Sequence, residues 1–513
     1  MAEPYAVEYT PSVASDAEGQ PSGTDVEPSI PLAWLEIESA TLGEFKQIVR
    51  VPFFKNQVIT IGRDTKACNL RFKCKAVSSI HCEIYSILFD KSEQYRPLIY
   101  VRDCQSTFGT FVNGQLIGQK PFVTAGWILE DGDVVTAGPC SLRLCACPVS
   151  KDEETALSPL QQQEALQFAD QYLIKDTILG NGSFSTVHMA MNVKTNQQVV
   201  CKIHDFPYLK RIWGDVSERI QKEMSIWSQL DHPNIVAFQR AFYTNNTMFT
   251  FGDLATGGDL YSLLERERSI PALEIKWIVL QLLRAVGYLH SKGVAHRDIK
   301  VENILCSSSV HLEHRIALAD FGCAGVTSLG RMMSDVGSEI YRAPEAQIDG
   351  GPHGVAVDIW AVGVLTLQLL VGYDSVAITP FENSCAKEIE NMVVNVNAGR
   401  SGKENGPISQ HGVDFIISCL SLKPRDRPTA VDAAKHLWFR ESELETALFR
   451  DVSEKEVLSQ FLSSCPIPDS VGDSQSSRYV DQQRFDCIKA RKDTIVNIGK
   501  PQSIIGCRRA SVL

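Results

Sequence analysis

Two hydrophobic patterns divide the chain into blocks. Between about residues 33 and 147, short apolar runs such as QVITIG, HCEIYSILF and PLIYVRD are separated by turn-forming Gly, Asp and Asn. Short runs at this spacing predict an all-β sandwich. From about residue 169 to 440, strand-like segments come first, and mostly helical patterns follow Asp259. We therefore expect a multidomain protein, with an N-terminal β-sandwich followed by a mixed α and β unit.

Polar segments flank the two blocks. Residues 1–32 are rich in Pro, Ser, Gly, Asp and Glu without apolar periodicity, so we expect them to be disordered. Residues 148–168, which contain KDEE and QQQE, are predicted to form a linker that could include a helical turn. Residues 441–513 are Ser-rich, weakly periodic and basic near their end, which predicts a mostly disordered tail.

Charge and composition exclude several classes of function. The 61 acidic and 50 basic residues give a formal net charge of −11, which argues against direct binding to nucleic acid or to an anionic membrane. No apolar run reaches the roughly 18–20 residues of a membrane span, and the acidic N-terminus lacks the apolar region of a signal peptide. The 15 cysteines include no CxxC pair, so free thiols in a reducing compartment are expected. We expect a soluble intracellular protein.

A glycine-rich turn between two strand-like segments predicts a nucleotide site. Glycine lets backbone N–H groups approach phosphates without a Cβ in the way. Lys202 follows 22 residues after the first glycine, and Glu223 lies on a helical pattern from which it would orient that lysine. Alone, Lys202 would be an ordinary strand-edge lysine. The ATP-binding residues predicted in this region are Gly180, Asn181, Gly182, Ser183, Val187 and Lys202.

The run HRDIKVEN, residues 296–303, carries the chemistry of phosphoryl transfer. Asp298 would accept the proton of the substrate hydroxyl, and Lys300 would neutralise the moving phosphoryl group. Asn303, and Asp320 in a DFG triplet, would hold the Mg²⁺ ions that bridge the phosphates of ATP. Together with Lys202 and Glu223, Asp298 and Lys300 are the predicted catalytic residues.

The whole second block resembles the eukaryotic protein kinases. The resemblance rests on the motifs above and on an APE triplet whose Glu345 would pair with Arg427 in PRDRPT. It implies a bilobal α+β kinase fold, ATP and Mg²⁺ as cofactors, and transfer of phosphate to Ser or Thr of protein substrates. Ser185 replaces the family's third glycine, and Val200 replaces the alanine that usually roofs the adenine. Neither change predicts inactivity, because every catalytic group is present.

The resemblance also implies a substrate preference and a regulatory site. Asp259 and Glu302 stand where related kinases bind an arginine three residues before the phosphoacceptor, although Asp259 could instead cap a helix. The expected target is therefore Arg-x-x-Ser/Thr. In the activation segment, Ser334 is the expected phosphorylation site, Thr327 is a second candidate, and Ser338 matches a family hydroxyl near the catalytic aspartate.

The predicted hinge contains an unusual glycine. Alignment with the family places Asp253 at the first hinge residue and Gly252 just before it, where most kinases have a medium or large side chain. We expect an open pocket behind the adenine, unless a shift in register makes Phe251 the wall.

The β-rich block resembles a forkhead-associated (FHA) domain, a β-sandwich that binds phosphothreonine peptides. The motifs are IGR at residues 61–63, SSIH at 78–81 and STFGTFVNG at 106–114. By this resemblance Arg63 and Ser78 would bind the phosphate with Thr107 nearby, His81 would brace the loop, and Asn113 would link loops or peptide backbone. Phe108 stands where the family often has an Asn that holds the peptide, so the selectivity for flanking residues stays open.

An FHA domain before a calcium/calmodulin-kinase-like domain resembles the checkpoint effector kinases. Residues 1–32 lack the Ser-Gln or Thr-Gln cluster typical of the general DNA-damage subgroup, and FGDLATGGDL looks more like the fungal meiosis-specific FHA kinases. That resemblance implies a nuclear kinase of the meiotic recombination checkpoint, recruited to phosphothreonine on chromosome-axis or checkpoint adaptor proteins, with a transient homodimer as a possible assembly. The alternatives are a general DNA-damage checkpoint kinase and a phosphopeptide adaptor with a vestigial kinase domain.

Overall fold

The computed structural model describes residues 7–10, 30–40, 46–88, 97–120, 125–147, 157–181, 184–214, 216–266, 270–306, 315–326, 339–347, 354–371, 387, 390–391, 393–394, 408–447, 449–450 and 495–497. They form a β-sandwich followed by a bilobal α+β unit, which confirms the predicted fold class. Among these residues, no helix is both long and apolar enough to cross a membrane.

The sandwich consists of two antiparallel-rich sheets. Its strands are β1 (Val7–Tyr9), β2 (Ala33–Ala40), β3 (Lys46–Phe53), β4 (Val58–Gly62), β5 (Leu70–Phe72), β6 (Ile80–Ile87), β7 (Leu98–Asp103), β8 (Thr110–Val112), β9 (Gln115–Gly118), β10 (Trp127–Leu129), β11 (Val134–Ala137) and β12 (Cys140–Ala146). One sheet has the order β1-β5-β4-β6-β7-β10, and the other has β3-β2-β12-β11-β8-β9. Alternation along each strand places one set of side chains, such as Leu35 and Ile37, in the core between the sheets.

The expected disorder of residues 1–32 is wrong at its one short apolar segment. Val7–Tyr9 forms an antiparallel pair with β5, in which Val7 lies opposite Phe72. Glu8 contributes an ion pair with Arg71 at 3.3 Å. Three residues are too few to show a periodic pattern, and the edge of the sheet supplies the partner that stabilises them.

The N-terminal lobe of the second unit is built on a twisted sheet. Its strands are β13 (Tyr172–Asn181), β14 (Thr186–Asn192), β15 (Gln197–Asp205), β16 (Phe238–Tyr243), β17 (Thr247–Asp253) and β22 (Ile495–Asn497), in the order β13-β14-β15-β17-β16-β22. Helices Phe206–Trp213 and Ser217–Trp227 complete the lobe. β22 pairs in parallel with β16, so three residues of the tail that we expected to be mostly disordered join this sheet.

The C-terminal lobe is mainly helical. Its α-helices are Leu260–Arg266, Ala272–Ser291, Pro344–Gln347, Ala356–Val371, Gln410–Cys419 and Ala430–Ala433, with 3₁₀ turns at Val301–Asn303, Glu339–Tyr341, Pro424–Asp426 and Leu437–Arg440. Short strand pairs join β18 (Val294–Ala295) to β21 (Gly325–Val326) and β19 (Ile304–Cys306) to β20 (Ile316–Leu318). These pairs hold the segments that carry the predicted catalytic residues.

The second half of the predicted linker at residues 148–168 has more regular structure than the single helical turn considered there. Helix Pro159–Ala165 begins at Ser158, whose hydroxyl accepts a hydrogen bond from Gln161 N, and a 3₁₀ turn follows at Leu166–Phe168. Phe168 is fully buried and stacks on Phe242 with ring centroids 4.4 Å apart. One aromatic residue in a polar stretch gives no periodic signal, so the sequence pattern missed its packing against the sheet.

The chain continues to pack against the C-terminal lobe after residue 440, where we expected the kinase domain to end. Phe449 is buried and stacks on Trp277 at a centroid distance of 5.6 Å. The buried ammonium of Lys276 contacts Glu441 at 2.5 Å and Glu445 at 2.9 Å. The segment after residue 440 therefore belongs to the C-terminal lobe at least as far as Phe449.

Candidate active site and phosphopeptide site

The candidate active site has an ion-paired lysine at its centre. Lys202, on β15, places its Nζ 2.9 Å from Oε1 of Glu223 and 3.2 Å from Oδ1 of Asp320. Burial alone would lower the pKa of Lys202, but Asp320 and Glu223 raise it well above its ordinary value. Conversely, the Lys202 ammonium holds the pKa of Asp320 well below its usual range. Lys202 and Asp320 are therefore both charged at neutral pH.

The predicted catalytic loop brings its polar groups into direct contact. Asn303 Nδ2 donates to the Asp298 backbone carbonyl at 2.7 Å and to its Oδ2 at 2.9 Å. Lys300 Nζ lies 3.3 Å from the same Oδ2. Burial would lower the pKa of Lys300, but the Asp298 carboxylate raises it overall. Asp298 is thus oriented by an amide and a cation.

A buried aspartate that sequence reasoning assigned no role holds this loop in place. Asp358 accepts hydrogen bonds from the backbone N–H of His296 at 2.9 Å and of Arg297 at 2.8 Å, and it contacts His290 Nε2 at 2.9 Å. Arg297 has a φ of 70°, and Asp320 has a φ of 62°. Backbone in the left-handed region is costly for such residues and is often found at functional sites. Asp358 offsets part of that cost at Arg297.

Aromatic contacts connect this loop to the N-terminal lobe. Phe321, which follows Asp320, is buried and lies edge-on to the His296 ring at a centroid distance of 5.2 Å. It stacks on Trp227 at 6.4 Å, and Trp227 belongs to the helix that carries Glu223. The helix, the DFG triplet and the catalytic loop therefore form one packed unit.

The sandwich brings its predicted phosphate-binding residues together at one end. The backbone N–H of Arg63 donates to the carbonyls of Ser78 at 3.0 Å and Ser79 at 3.1 Å. The Ser78 hydroxyl accepts from Thr107 N at 3.0 Å. The Arg63 side chain is exposed, so its guanidinium is available to a ligand. Arg63, Ser78 and Thr107 thus lie on adjoining loops.

His81 braces these loops from below. Its Nδ1 accepts from Ser78 N at 3.1 Å, so the proton lies on Nε2, which donates to the carbonyl of Gly109 at 3.0 Å. Burial lowers the pKa of His81, which keeps the ring neutral. Asp103, which the motifs did not single out, accepts hydrogen bonds from Ser106 and from the Thr110 hydroxyl at 2.7 Å, and so shapes the same loop.

Family comparisons identify both domains. The protein kinase domain family matches residues 173–439, and the FHA domain family matches residues 59–138. The meiosis-specific serine/threonine-protein kinase mek1 of Schizosaccharomyces pombe is 32% identical over 411 residues, covering 77% of this chain and 84% of that protein. The chain belongs to the FHA-containing serine/threonine protein kinases.

Two further relatives also match most of this chain. The meiosis-specific serine/threonine-protein kinase MEK1 of Saccharomyces cerevisiae is 30% identical over 447 residues, covering 80% of this chain and 86% of that protein. The serine/threonine-protein kinase cds1 of S. pombe is 29% identical over 390 residues, covering 73% of this chain and 80% of that protein. The predicted family and enzyme class are confirmed.

The kinase hinge confirms the predicted register but not the predicted open pocket. Gly252 pairs with Val200 and Asp253 with Val199, while Phe251 points to the opposite face and stacks on Tyr172 at 4.0 Å. A Cβ on Gly252 would lie 3.0 Å from the Trp227 indole. The space left by the glycine is filled by a tryptophan that is distant in sequence.

The two acids that are predicted to bind the substrate arginine occupy different environments. Asp259 caps helix Leu260–Arg266 by accepting from Ser262 N at 2.7 Å, so the capping role is present. Burial raises the pKa of Asp259 to about 6, and the nearby charge of Glu302 adds to the shift. Among the described residues, the buried Oε2 of Glu302 has no hydrogen-bond partner. Binding of a substrate arginine by this pair stays a prediction.

The remaining predicted residues either lie outside the described residues or belong to the FHA domain. Gly182, Ser183, Thr327, Ser334 and Ser338 lie outside the described residues. In the FHA domain, Asn113 does link two loops, because its amide donates to Asp133 at 2.7 Å and accepts from Val134 N at 2.9 Å. Phe108 is 58% exposed beside the phosphate-binding loops.

The predicted ion pair below the activation segment is confirmed. Arg427 forms two parallel contacts with the Glu345 carboxylate, at 2.6 and 2.8 Å. Paired N–H donors of this kind suit a planar guanidinium and fix the carboxylate in one orientation. The APE triplet is therefore held against the C-terminal lobe.

Proposed function

We propose that this kinase transfers the γ-phosphate of ATP to Ser or Thr in proteins that carry an arginine three residues earlier, after its FHA domain binds phosphothreonine. One observation carries the catalytic part. Lys202 contacts both Glu223 at 2.9 Å and Asp320 at 3.2 Å, which is the assembled arrangement that phosphoryl transfer by protein kinases requires. An inactive, vestigial kinase domain would not need these contacts, so their presence supports an active enzyme over a phosphopeptide adaptor.

The residues fit an ATP–Mg²⁺ complex. Lys202 keeps the Asp320 carboxylate ionised, and that side chain is 47% exposed toward the site. Asn303 uses its amide nitrogen on Asp298, which leaves its amide oxygen as the atom to ligate a cation. Mg²⁺ would be held by these two residues together with the phosphates, and it would neutralise their charge.

The catalytic loop supplies the base and the positive charge. The Asp298 carboxylate is positioned by Asn303 and would accept the proton of the substrate hydroxyl. Lys300 contacts the same carboxylate and would stabilise the negative charge that is transferred. Asp259 and Glu302 together offer two acidic groups to the substrate guanidinium. The Glu302 oxygen that has no partner within the described part of the chain supports this assignment.

The biological setting is proposed from the relatives. Two of the most similar proteins are named meiosis-specific, which favours a nuclear role in the meiotic recombination checkpoint over a general DNA-damage role. Partners would be phosphothreonine-containing chromosome-axis or checkpoint adaptor proteins and protein substrates, without direct binding to nucleic acid or membranes. Phosphorylation of Ser334, with Thr327 as the second candidate and Ser338 as a positioning hydroxyl, stays a prediction, as does a transient homodimer.

A tethered-substrate experiment tests the combined function. A peptide carrying both a phosphothreonine and a distant Arg-x-x-Ser should be phosphorylated with a lower KM than the same peptide with plain threonine. The difference should vanish in Arg63→Ala, while Lys55→Ala, an exposed lysine on another turn of the sandwich, should retain it. Equal KM values for both peptides with the unmodified kinase would refute recruitment through the FHA domain.

A further inference from the structure

The FHA and kinase domains share an apolar cluster. Its FHA side consists of Tyr85, Ile87, Tyr100 and Ile128, which we call the docking face. Tyr85 and Tyr100 stack with centroids 5.3 Å apart. On the kinase side the buried members are Leu179 and Met189. Tyr85, Ile87, Tyr100 and Ile128 are all at most 5% exposed, so the contact excludes water as a protein core does.

Hydrogen bonds fix the orientation of this contact. The Tyr85 hydroxyl donates to the Thr256 carbonyl at 2.8 Å, and Gly126 N donates to the Thr256 hydroxyl at 2.7 Å, both in buried surroundings. The Gln198 side-chain amide accepts from Ile128 N at 2.7 Å and donates to the Ile128 carbonyl at 2.9 Å. Buried polar groups matched in this way specify one docked geometry.

Glycines on both surfaces let the two domains approach each other closely. A Cβ on Gly258 would lie 3.0 Å from Ile87, and the residue has a φ of +80°. A Cβ on Gly126 would lie 3.2 Å from the Cβ of Thr256. Close backbone approach on both sides of the contact favours a specific interface over incidental proximity.

The contact lies at the nucleotide site. Val187 and Val200, which flank the predicted adenine position, and Leu254, which follows the hinge residue Asp253, pack against the same cluster. Next to them, the Ser262 hydroxyl donates to the carbonyl of Leu88 in the FHA domain at 3.0 Å. The Ser262 backbone N–H donates to Asp259, one of the two predicted arginine-binding acids. The docking face therefore borders the edge by which a nucleotide enters.

We propose that the FHA domain docks on the kinase domain of its own chain along the open edge of the nucleotide site and slows nucleotide entry and release. The inference rests on the proposed function, in that ATP must bind at Lys202. A wall of packed aromatic and aliphatic side chains at this edge removes the path by which the base exchanges with solvent. Undocking restores the path and exposes the surface around Asp259 to substrate.

The phosphothreonine site stays open in the docked state. Strand β6 begins at Ile80, beside Ser78, and ends at Ile87 in the docking face. At about 3.3 Å per residue, the two ends are roughly 23 Å apart. The kinase can therefore bind a phosphorylated partner while docked, so recruitment and release are separable steps.

Two variants and one matched control test the proposal. Ile87→Glu places a charge in the dry contact, and Tyr85→Phe with Thr256→Val removes two hydrogen bonds without changing shape. Ile80→Glu is the control, because Ile80 lies on the same strand but is 40% exposed.

The release rate is measured with an ATP analogue that carries its fluorophore on the γ-phosphate, away from the docked edge. Hydrogen exchange of segment 125–129 reports docking without nucleotide, since Gly126 N and Ile128 N donate to kinase side chains.

The expected results are specific to docking. Ile87→Glu should accelerate release about tenfold, and the double variant about threefold, each with faster exchange of segment 125–129. Ile80→Glu should match the unmodified chain in both readouts. Undocked variants with unchanged release rates would overturn the gating, and an unprotected segment 125–129 in the unmodified chain would overturn the docking itself. Failure of every protein to bind nucleotide, with protection retained, would instead refute the proposed catalytic function.

Discussion

The indole of Trp227 lies 3.0 Å from the position that a Cβ on Gly252 would occupy. The tryptophan is fixed there by a hydrogen bond from Nε1 to the Val236 carbonyl at 2.7 Å and by an edge contact with Phe238 at 5.3 Å. A large residue on the helix that carries Glu223 thus compensates for a missing side chain at the hinge. Trp227 also stacks on Phe321, so the pocket wall is coupled to the DFG triplet.

This pairing predicts how inhibitors will behave. The unmodified kinase should resist ATP-competitive inhibitors with a bulky aryl group behind the adenine, because Trp227 occupies that space. Trp227→Leu should open the pocket and lower the inhibitory concentration by about tenfold or more, as removal of buried ring volume creates a cavity. Dose–response curves at fixed ATP measure this. Trp213→Leu, at an exposed tryptophan, is the control, and a sensitive unmodified kinase would contradict the account.

The same contact predicts a cost for enlarging Gly252. Gly252→Met must displace the Trp227 indole, so it should destabilise the protein by about 1–3 kcal/mol, as overpacking of a filled core does. Chemical denaturation of the two proteins measures the difference. Combining Gly252→Met with Trp227→Leu should recover most of the loss. Strictly additive effects would show that the two side chains do not compete for one space.

Phosphothreonine binding should depend on Arg63 and catalysis should not. Arg63→Ala removes a charge-assisted contact to a dianion, which costs roughly 2–3 kcal/mol, or about 30- to 150-fold in affinity. Calorimetry with a phosphothreonine peptide measures the affinity, and turnover of a free peptide measures the kinase. Lys55→Ala should change neither quantity. Unaltered affinity in Arg63→Ala would remove this residue from the site.

The preference for arginine should depend on pH. Burial raises the pKa of Asp259 to about 6, so its carboxyl is charged above that pH and becomes neutral below it. The ratio of kcat/KM for an Arg-x-x-Ser peptide to that for the Ala-x-x-Ser peptide should therefore fall between pH 7.5 and 5.5. Asp259→Asn should show a low ratio at every pH. A constant ratio in the unmodified kinase would separate Asp259 from arginine recognition.

The C-terminal lobe should need residues beyond 440. Deleting the chain after Arg440 removes Phe449 and leaves the buried Lys276 without its partners Glu441 and Glu445. A cavity and an uncompensated buried charge should each cost roughly 3–5 kcal/mol. Thermal unfolding of chains ending at residues 440 and 450 gives the comparison. Phe108→Ala, at an exposed phenylalanine, should be neutral for stability.

Sequence reasoning succeeded where a short motif identifies the chemistry of the site by itself. The HRD and DFG segments and the lysine on β15 are motifs of this kind, whereas the pairing of Arg427 with Glu345 is implied by the resemblance to the protein kinases. Sequence reasoning failed at contacts between segments that are far apart along the chain. Nothing near Gly252 shows that Trp227 fills its pocket, and nothing near Phe168 or Phe449 shows which surface buries them. Docking of Tyr85 on Thr256 joins two units that each look complete alone, so no periodicity could predict it.

Catalysis by Asp298 is the central claim, and one comparison tests it directly. Purified unmodified chain and Asp298→Asn, which keeps the shape but loses the base, are incubated with ATP, Mg²⁺ and an Arg-x-x-Ser peptide, and phosphate transfer is followed by mass spectrometry. The account predicts steady phosphorylation of the serine by the unmodified chain and a rate about 10²- to 10⁴-fold lower for the variant. Equal rates in the two proteins, or no transfer by either, would contradict it.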